Sequence, residues 1–335
     1  MMLWDIYKFE LKKLFCIKVN VIAMAGSVIM LVFLAMSAIS EEEPVMNVRD
    51  SMIRALDKDI DLTQISETGL YELREKEIAQ RMETQGLSDQ EKEWWYSREA
   101  EVQKPFVFRA HRGPAGLLRA FQALGFFVLL LSAIGLSGTY ARETGDSMNQ
   151  LLLCSRYGKR KLYTVKLFAG FTWILAAALM VFLSVLIPYL GFYGMEGTEE
   201  MLQLVKPLSM LPYSIGHMLA VYTVIYLLSA VLFAAVTMLL SVVTQNQLAT
   251  ICGLMGYLLI DLFVEFPDRY RVLQKIWFLR PNAILMNAGF SNYRLIRLAD
   301  RFLLNYQAAP LVYLVIIIAA LLVGRQKYRR LQIGK

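Results

Sequence analysis

Residues 19–39 run for 21 positions without a charged side chain. A helix needs about 20 apolar residues to cross the hydrocarbon core of a bilayer. Five further apolar runs follow, at 120–140, 167–192, 215–243, 248–264 and 308–324. The last two-thirds of the chain thus repeats one message, and it excludes most soluble architectures. Composition agrees: 57% of the 335 residues are hydrophobic and 19% are charged, where a soluble domain carries about a quarter charged. A lipid solvent accounts for that excess better than an oversized core does. The fourth and fifth runs are separated only by Thr244-Gln245-Asn246-Gln247. One helix through both would be too long for a membrane, so a tight helical hairpin is expected there. The expected fold class is all-α, a polytopic membrane protein with six transmembrane helices.

The first run is not read as a cleaved leader. Ala35-Met36-Ser37-Ala38 offers small residues for cleavage. However, the run is longer than a typical leader core, and Asp5 and Glu10 precede it. A retained first span is the expectation.

Lysine and arginine near span ends set orientation. The N-terminal segment has Lys8, Lys12, Lys13 and Lys18. The loop after the second span has Arg142, Arg156, Lys159, Arg160, Lys161 and Lys166. The tail has Arg325, Lys327, Arg329, Arg330 and Lys335, with no acid. With six spans, all three segments fall on one side, the cytoplasm, so both termini are expected there. Stretch 265–307 disagrees: it must lie outside, yet holds seven basic residues against three acidic ones. It is expected to be a helical or interfacial excursion.

Segment 40–115 is the large outer insertion, with 17 acidic and 11 basic residues, a net of −6. Residues 47–60 and 67–85 read as helices. Ser88-Asp89-Gln90-Glu91 has capping-box spacing and starts a third. Trp94, Trp95 and Tyr96 on it point to a packed face or to contact with the membrane surface. Gly113-Pro114 reads as the end of the segment. A solvated helical ectodomain, acidic for solubility, is the simpler reading. The sharper one makes Glu41, Glu42 and Glu43 a docking surface for a cationic ligand such as a basic peptide. Cys16, Cys154 and Cys252 all lie outside this segment, so they imply no disulfide framework for it.

Two features belong to the inner side. Leu3, Tyr7, Leu11 and Leu14 recur at helical spacing, with Lys8, Lys12 and Lys13 mostly on another face. That is the pattern of an interfacial helix. Residues 142–166 hold Glu143-Thr144-Gly145-Asp146, a short amphipathic run, and Ser155-Arg156-Tyr157-Gly158-Lys159-Arg160-Lys161. On charge alone this is a basic loop. A short helix projecting there would also make a rigid contact for a soluble partner.

The order of these features resembles the permease subunits of ABC-2-type ATP-binding-cassette transporters. Their interfacial helix reads here as Phe9-Glu10-Leu11-Lys12-Lys13-Leu14. Their motif after span two reads as Glu143, Gly145, Leu151-Leu152, Ser155, Arg160 and Lys166. The resemblance covers nearly the whole chain and rests on order and topology, because each motif is short. It implies that 143–160, with Arg156 included, is a coupling helix seated on an ATPase. It implies a cytoplasmic ATPase dimer and a second permease, identical or related, as partners. It also implies a bacterial cytoplasmic membrane and an exporter of peptides, drugs or other amphiphiles. The size of 40–115 departs from the polysaccharide-exporting type and argues against such a cargo.

The chain has no Gly-x4-Gly-Lys-[Ser/Thr] loop, so ATP and Mg are expected to be used by the partner and no cofactor by this chain. With His111 and His217 as its only histidines and no His-Glu-x2-His, a zinc enzyme is not expected. A nucleophile elbow is absent too. The chain is read as a non-enzyme, with membrane lipids and no nucleic acid among its partners.

Within the fourth run, Tyr222, Tyr226, Ser229, Phe233 and Thr237 share one helical face. In the fifth, Tyr257, Asp261 and Glu265 are four apart. Polar faces in spans serve either as packing glue or as a translocation path. Tyr222, Tyr226, Ser229, Tyr257 and Asp261 are the candidate path, with snorkelling of Asp261 to the outer interface as the plainer alternative. The competing function is a membrane sensor or assembly protein that binds ligand through its ectodomain and transports nothing. A secondary transporter would need more intramembrane charges and a repeat between halves.

Overall fold

The computed structural model describes residues 2–40, 67–106, 112–145, 161–264, 266–267, 269–286, 292–298 and 301–330. Most of them are helical. Helix α1 spans Met2–Cys16 and α2 Lys18–Ser40. Helices α3, Glu67–Thr84, and α4, Asp89–Glu99, follow. Next come α5, Arg112–Leu136, the short α6, Gly138–Gly145, and α7, Lys161–Tyr193. After a 3-10 turn at Leu202–Leu204, α8 spans Ile215–Thr244 and α9 Gln247–Phe263. Two short helices, α10 at Arg271–Trp277 and α11 at Pro281–Leu285, lead to strands β1, Ile296–Leu298, and β2, Arg301–Leu303. Helix α12, Asn305–Arg329, comes last. The strands form an antiparallel hairpin, the only sheet among the described residues.

Five helical stretches are long and apolar enough to cross a membrane: Lys18–Ser40, Gly113–Arg142, Lys161–Tyr193, Ile215–Thr244 and Asn305–Arg329. The fifth apolar run forms α9, which is 17 residues long. That is the short end of the crossing range. This architecture fits a helical, multi-pass membrane protein.

Helix α8 is the axis of the bundle. It packs against α5, α7 and α12, and around its middle consecutive residues Leu232–Phe233–Ala234–Ala235 are all buried. Helix α2 is peripheral. Its buried residues are Asn20, Ser27, Leu31 and Ala35, a single seam turned to α7 and α5. Its other face exposes Ile22, Ile29 and Phe33, as lipid contact requires. Helix α1 continues almost directly into α2. The Asn20 amide donates to the Leu14 carbonyl at the junction (2.9 Å). The apolar face of α1, with Tyr7, Leu11 and Leu14, packs inward, and the Tyr7 hydroxyl lies 2.8 Å from that of Thr172 on α7.

The hairpin expected at Thr244–Gln247 is present. Gln245 takes a left-handed conformation (φ 51°), and the Asn246 side chain accepts from the Leu248 and Ala249 amides to start α9. The capping box at Ser88 and Glu91 is present as well. Helix α3 matches the 67–85 expectation; residues 47–60 lie outside the described residues. Gly113-Pro114 falls where the next long helix begins: both residues sit in the first turn of α5, ahead of the expected span 120–140. Proline there loses no ladder bond and its fixed φ suits the helix.

Three separate stretches build one cap at one end of the bundle. The Arg74 guanidinium of α3 is buried. It donates to the Glu99 carboxylate (2.5 Å) and to the carbonyls of Pro207 and Ser209 (2.5 and 2.8 Å). Trp95 of α4 is buried and donates to the Tyr293 carbonyl (2.6 Å), while the Tyr293 hydroxyl donates to the Leu208 carbonyl (2.5 Å). Gln85 accepts from the Tyr293 amide (2.8 Å), and Lys275 of α10 pairs with Glu91 (3.2 Å). Helices α3–α4, the 194–214 loop and the 266–304 stretch therefore meet on one side.

Candidate functional site

At the end of the bundle opposite the cap, α5 breaks at Ser137 and resumes as α6 at Gly138. In a regular helix the Ala141 amide would donate to the Ser137 carbonyl. Here the Ser241 hydroxyl of α8 enters the ladder instead. Its Oγ donates to the Ser137 carbonyl (2.6 Å) and accepts from the Tyr140 and Ala141 amides, each at 3.2 Å. One side chain thus satisfies three backbone groups freed by the break. That satisfaction is what makes a broken helix tolerable where water is scarce.

Lys166 of α7 joins the same place. It is fully buried, and its Nζ donates to the Thr139 carbonyl (3.1 Å) and lies 5.5 Å from the centre of the Tyr140 ring. A carbonyl and a ring face are the partners a buried ammonium needs. The Tyr140 hydroxyl donates to the Tyr163 carbonyl (3.1 Å), and the Tyr163 hydroxyl to the Leu321 carbonyl of α12 (3.0 Å). Tyr140, Tyr163 and Tyr328 pack in a trio with centres 5.5–5.6 Å apart, Tyr328 meeting Tyr140 edge-on. A side chain at Gly324 would strike the Tyr163 hydroxyl, so glycine lets α12 approach. Arg142 donates to Gln247 at the start of α9 (2.9 Å). This polar knot ties α6, α7, α8, α9 and α12 within two turns of where 143–160 begins.

Of the expected coupling residues, Glu143 and Gly145 form the last turn of α6, directly beyond the knot. Leu151, Leu152, Ser155, Arg156 and Arg160 lie outside the described residues, as do Glu41, Glu42 and Glu43. The segment's far end is Lys161, the first residue of α7. Both of its ends therefore issue from elements held by the knot. Lys166, grouped by sequence with the exposed basic loop, is instead an internal tie.

The polar face of α8 is packed against other helices of this chain. Tyr222, Tyr226, Ser229, Phe233 and Thr237 are all buried. Tyr222 meets the edge of Phe121 on α5 at 5.7 Å, and the Tyr226 hydroxyl donates to the Ala178 carbonyl of α7 (2.9 Å). Ser229 donates to Ile225 within its own helix (2.7 Å), and Thr237 lies 2.8 Å from the Ser132 hydroxyl. In this conformation the face holds α5, α7 and α8 together.

Asp261 is engaged elsewhere. Its carboxylate is 6% exposed and forms an ion pair with Arg280. It also accepts from the Asn282 amide (2.6 Å). The Arg280 guanidinium lies 3.5 Å from the centre of the Trp277 ring and donates to the Trp277 carbonyl (2.8 Å). The acid is neutralised by the segment that follows it, not by snorkelling. Tyr257, one turn before it, is partly buried against the core. Sequence reading did not single out Arg280 or Asn282. The signal was a lone acid in an apolar run, with Arg280-Pro281 19 residues further on.

Outside the spans, Glu91 titrates below its ordinary value. Burial pushes it up, but the Ser88 amide and the Lys275 ammonium outweigh that. Among the described residues, no group of three or more His, Cys, Asp or Glu could hold a metal. Comparison with protein-family models, with curated proteins and with solved structures finds no match.

Proposed function

We propose that the chain is the membrane-spanning permease subunit of an ATP-binding-cassette transporter. It exports peptides, drugs or other amphiphiles and is driven by a separate cytoplasmic ATPase dimer alongside a second permease, identical or related. ATP and Mg act on the partner. The observation that carries this reading is the polar knot. A segment that transmits force must be anchored at both ends to the bodies it moves. Residues 143–160 leave α6 and enter α7, and Ser241, Lys166, Tyr163 and Arg142 tie those helices to α8, α9 and α12.

In this reading α9 crosses the membrane, giving six spans with both termini in the cytoplasm. The cap supports it, because the stretch after α9 meets α3 and α4. Three of the seven basic residues of 265–307 are also engaged by neighbouring groups. Lys275 pairs with Glu91, Arg280 with Asp261, and Arg294 donates to the Gln85 carbonyl (3.2 Å). Charges consumed by a folded outer cap weigh little in orientation.

The test is co-purification of an ATPase and reconstitution with it. Glu143→Lys and Arg160→Glu should leave ATP hydrolysis running while transport falls at least tenfold. Full transport in both variants refutes the coupling assignment. The cap favours one second reading, a sensor that binds ligand there and transports nothing. Absence of any stoichiometric ATPase whose turnover depends on this chain would favour it.

A further inference from the structure

Helix α12 carries two different faces. Tyr313, Ile317, Ala320, Gly324 and Tyr328 are buried, and the helix packs against α8. Leu311, Val315, Ile318 and Leu322, spaced by four, three and four, are exposed along the other side. The same stripe runs on through Arg325 and Gln326 to Arg329. There Leu322, Arg325, Gln326, Arg329 and Arg330 line an open cradle of about 460 Å³. Among the described residues, no carboxylate forms an ion pair with any of these arginines.

We propose that this cradle binds the headgroup of an anionic phospholipid, with the acyl chains lying along the Leu311–Leu322 stripe. Three features select that ligand. The guanidiniums offer paired donors suited to a phosphodiester. The apolar stripe is continuous with them, which a free anion would not use. Tyr328, packed between Tyr140 and Tyr163, holds the helix end rigid, so the arginines project from a fixed frame. Basic pockets beside transmembrane helices recognise lipid headgroups through the same chemistry. The site does not depend on the transporter reading.

The test uses the full chain, delipidated in neutral detergent, with binding followed by native mass spectrometry. The probes are dioctanoyl phosphatidylglycerol, dioctanoyl phosphatidylcholine and inorganic phosphate. Each arginine near a lipid phosphate contributes about fivefold in affinity. The triple variant R325Q/R329Q/R330Q should therefore bind phosphatidylglycerol at least tenfold more weakly. The R325K/R329K/R330K variant keeps the charge but loses the forked donors, so its affinity should fall between those of the parent and the glutamine variant, and L322Q should weaken lipid binding alone. All these side chains are exposed, and unchanged helicity and gel-filtration profiles check the fold. The proposal is overturned by a loss under tenfold in the glutamine variant. It is overturned equally by phosphatidylcholine binding as tightly as phosphatidylglycerol, or by inorganic phosphate matching the lipid. An acidic protein as the natural occupant would appear as no preference for phosphatidylglycerol in the purified chain.

Discussion

Replacing Ser241 with alanine removes one hydroxyl and strands three backbone groups. The Ser137 carbonyl loses its donor, and the Tyr140 and Ala141 amides lose their acceptor. If nothing moved, each orphan would cost about 1–3 kcal/mol. The helix has an escape, however, because the Ala141 amide can close back onto the Ser137 carbonyl as a regular turn. Measured polar contacts between membrane helices average about 0.6 kcal/mol, so three sharing one hydroxyl come to about 2 kcal/mol. The expected loss is therefore about 2 kcal/mol, with faster hydrogen exchange at Tyr140 and Ala141. Unfolding by a denaturing detergent in mixed micelles measures the first, and site-resolved exchange the second. Ser241→Thr keeps the hydroxyl and should recover most of both. A loss below about 0.5 kcal/mol in S241A, with unchanged exchange at those two amides, would refute the ladder argument.

Gly135→Ala should destabilise by about 2 kcal/mol, since its new methyl overlaps the Trp173 ring and forces α5 and α7 apart. Gly26→Ala is the matched control: open space surrounds it, so thermal melting should stay level or rise slightly. Asp261→Asn should cost about 3 kcal/mol by leaving Arg280 unpaired, and D261N/R280Q should recover part of that in a double-mutant cycle. Acidification should loosen the cap. The folded value of Glu91 lies below its ordinary 4.5, so its contribution is present above that value and lost as pH falls through the folded one. Trp95 fluorescence followed against pH should show this step, and Glu91→Gln should diminish it. Lys104 has the opposite sign. Burial lowers its value, but Glu75 and Glu99 raise it further, so its contribution fades only as pH rises through the folded lysine value.

The helices were largely legible because a bilayer demands long apolar runs. Expected span 19–39 became Lys18–Ser40, and 215–243 became Ile215–Thr244. Local chemistry was legible too, as Ser88 caps the helix it precedes and the polar turn 244–247 separates α8 from α9. What faces inward was harder to read. In a soluble protein polarity separates the core from the surface, but lipid is as apolar as the core. Helix α2 hides Asn20 and Ser27 and exposes Ile29 and Phe33, the reverse of a soluble helix. Partners distant in sequence were invisible for a different reason. Ser241 and Ser137 are 104 residues apart, and nothing in either neighbourhood names the other. Helix α5 begins at Arg112, ahead of the expected span 120–140, because a Gly-Pro pair that closes one segment also suits the first turn of the next helix.

The pairing of Asp261 with Arg280 also bears on how the chain enters the bilayer. Synthesis proceeds from the N-terminus, so Asp261 is made 19 residues before its counter-charge. A carboxylate within a short apolar helix opposes insertion by up to about 3 kcal/mol. Until residue 280 emerges, α9 holds an uncompensated acid and only 17 residues of apolar length. In the six-span reading, this helix is the last of its hairpin to commit, and its commitment waits on sequence that has not yet been translated. A nascent chain arrested before Arg280 should hold α8 firmly in the membrane and α9 only loosely. Under that reading, biogenesis has a late, reversible step written at a single acidic residue.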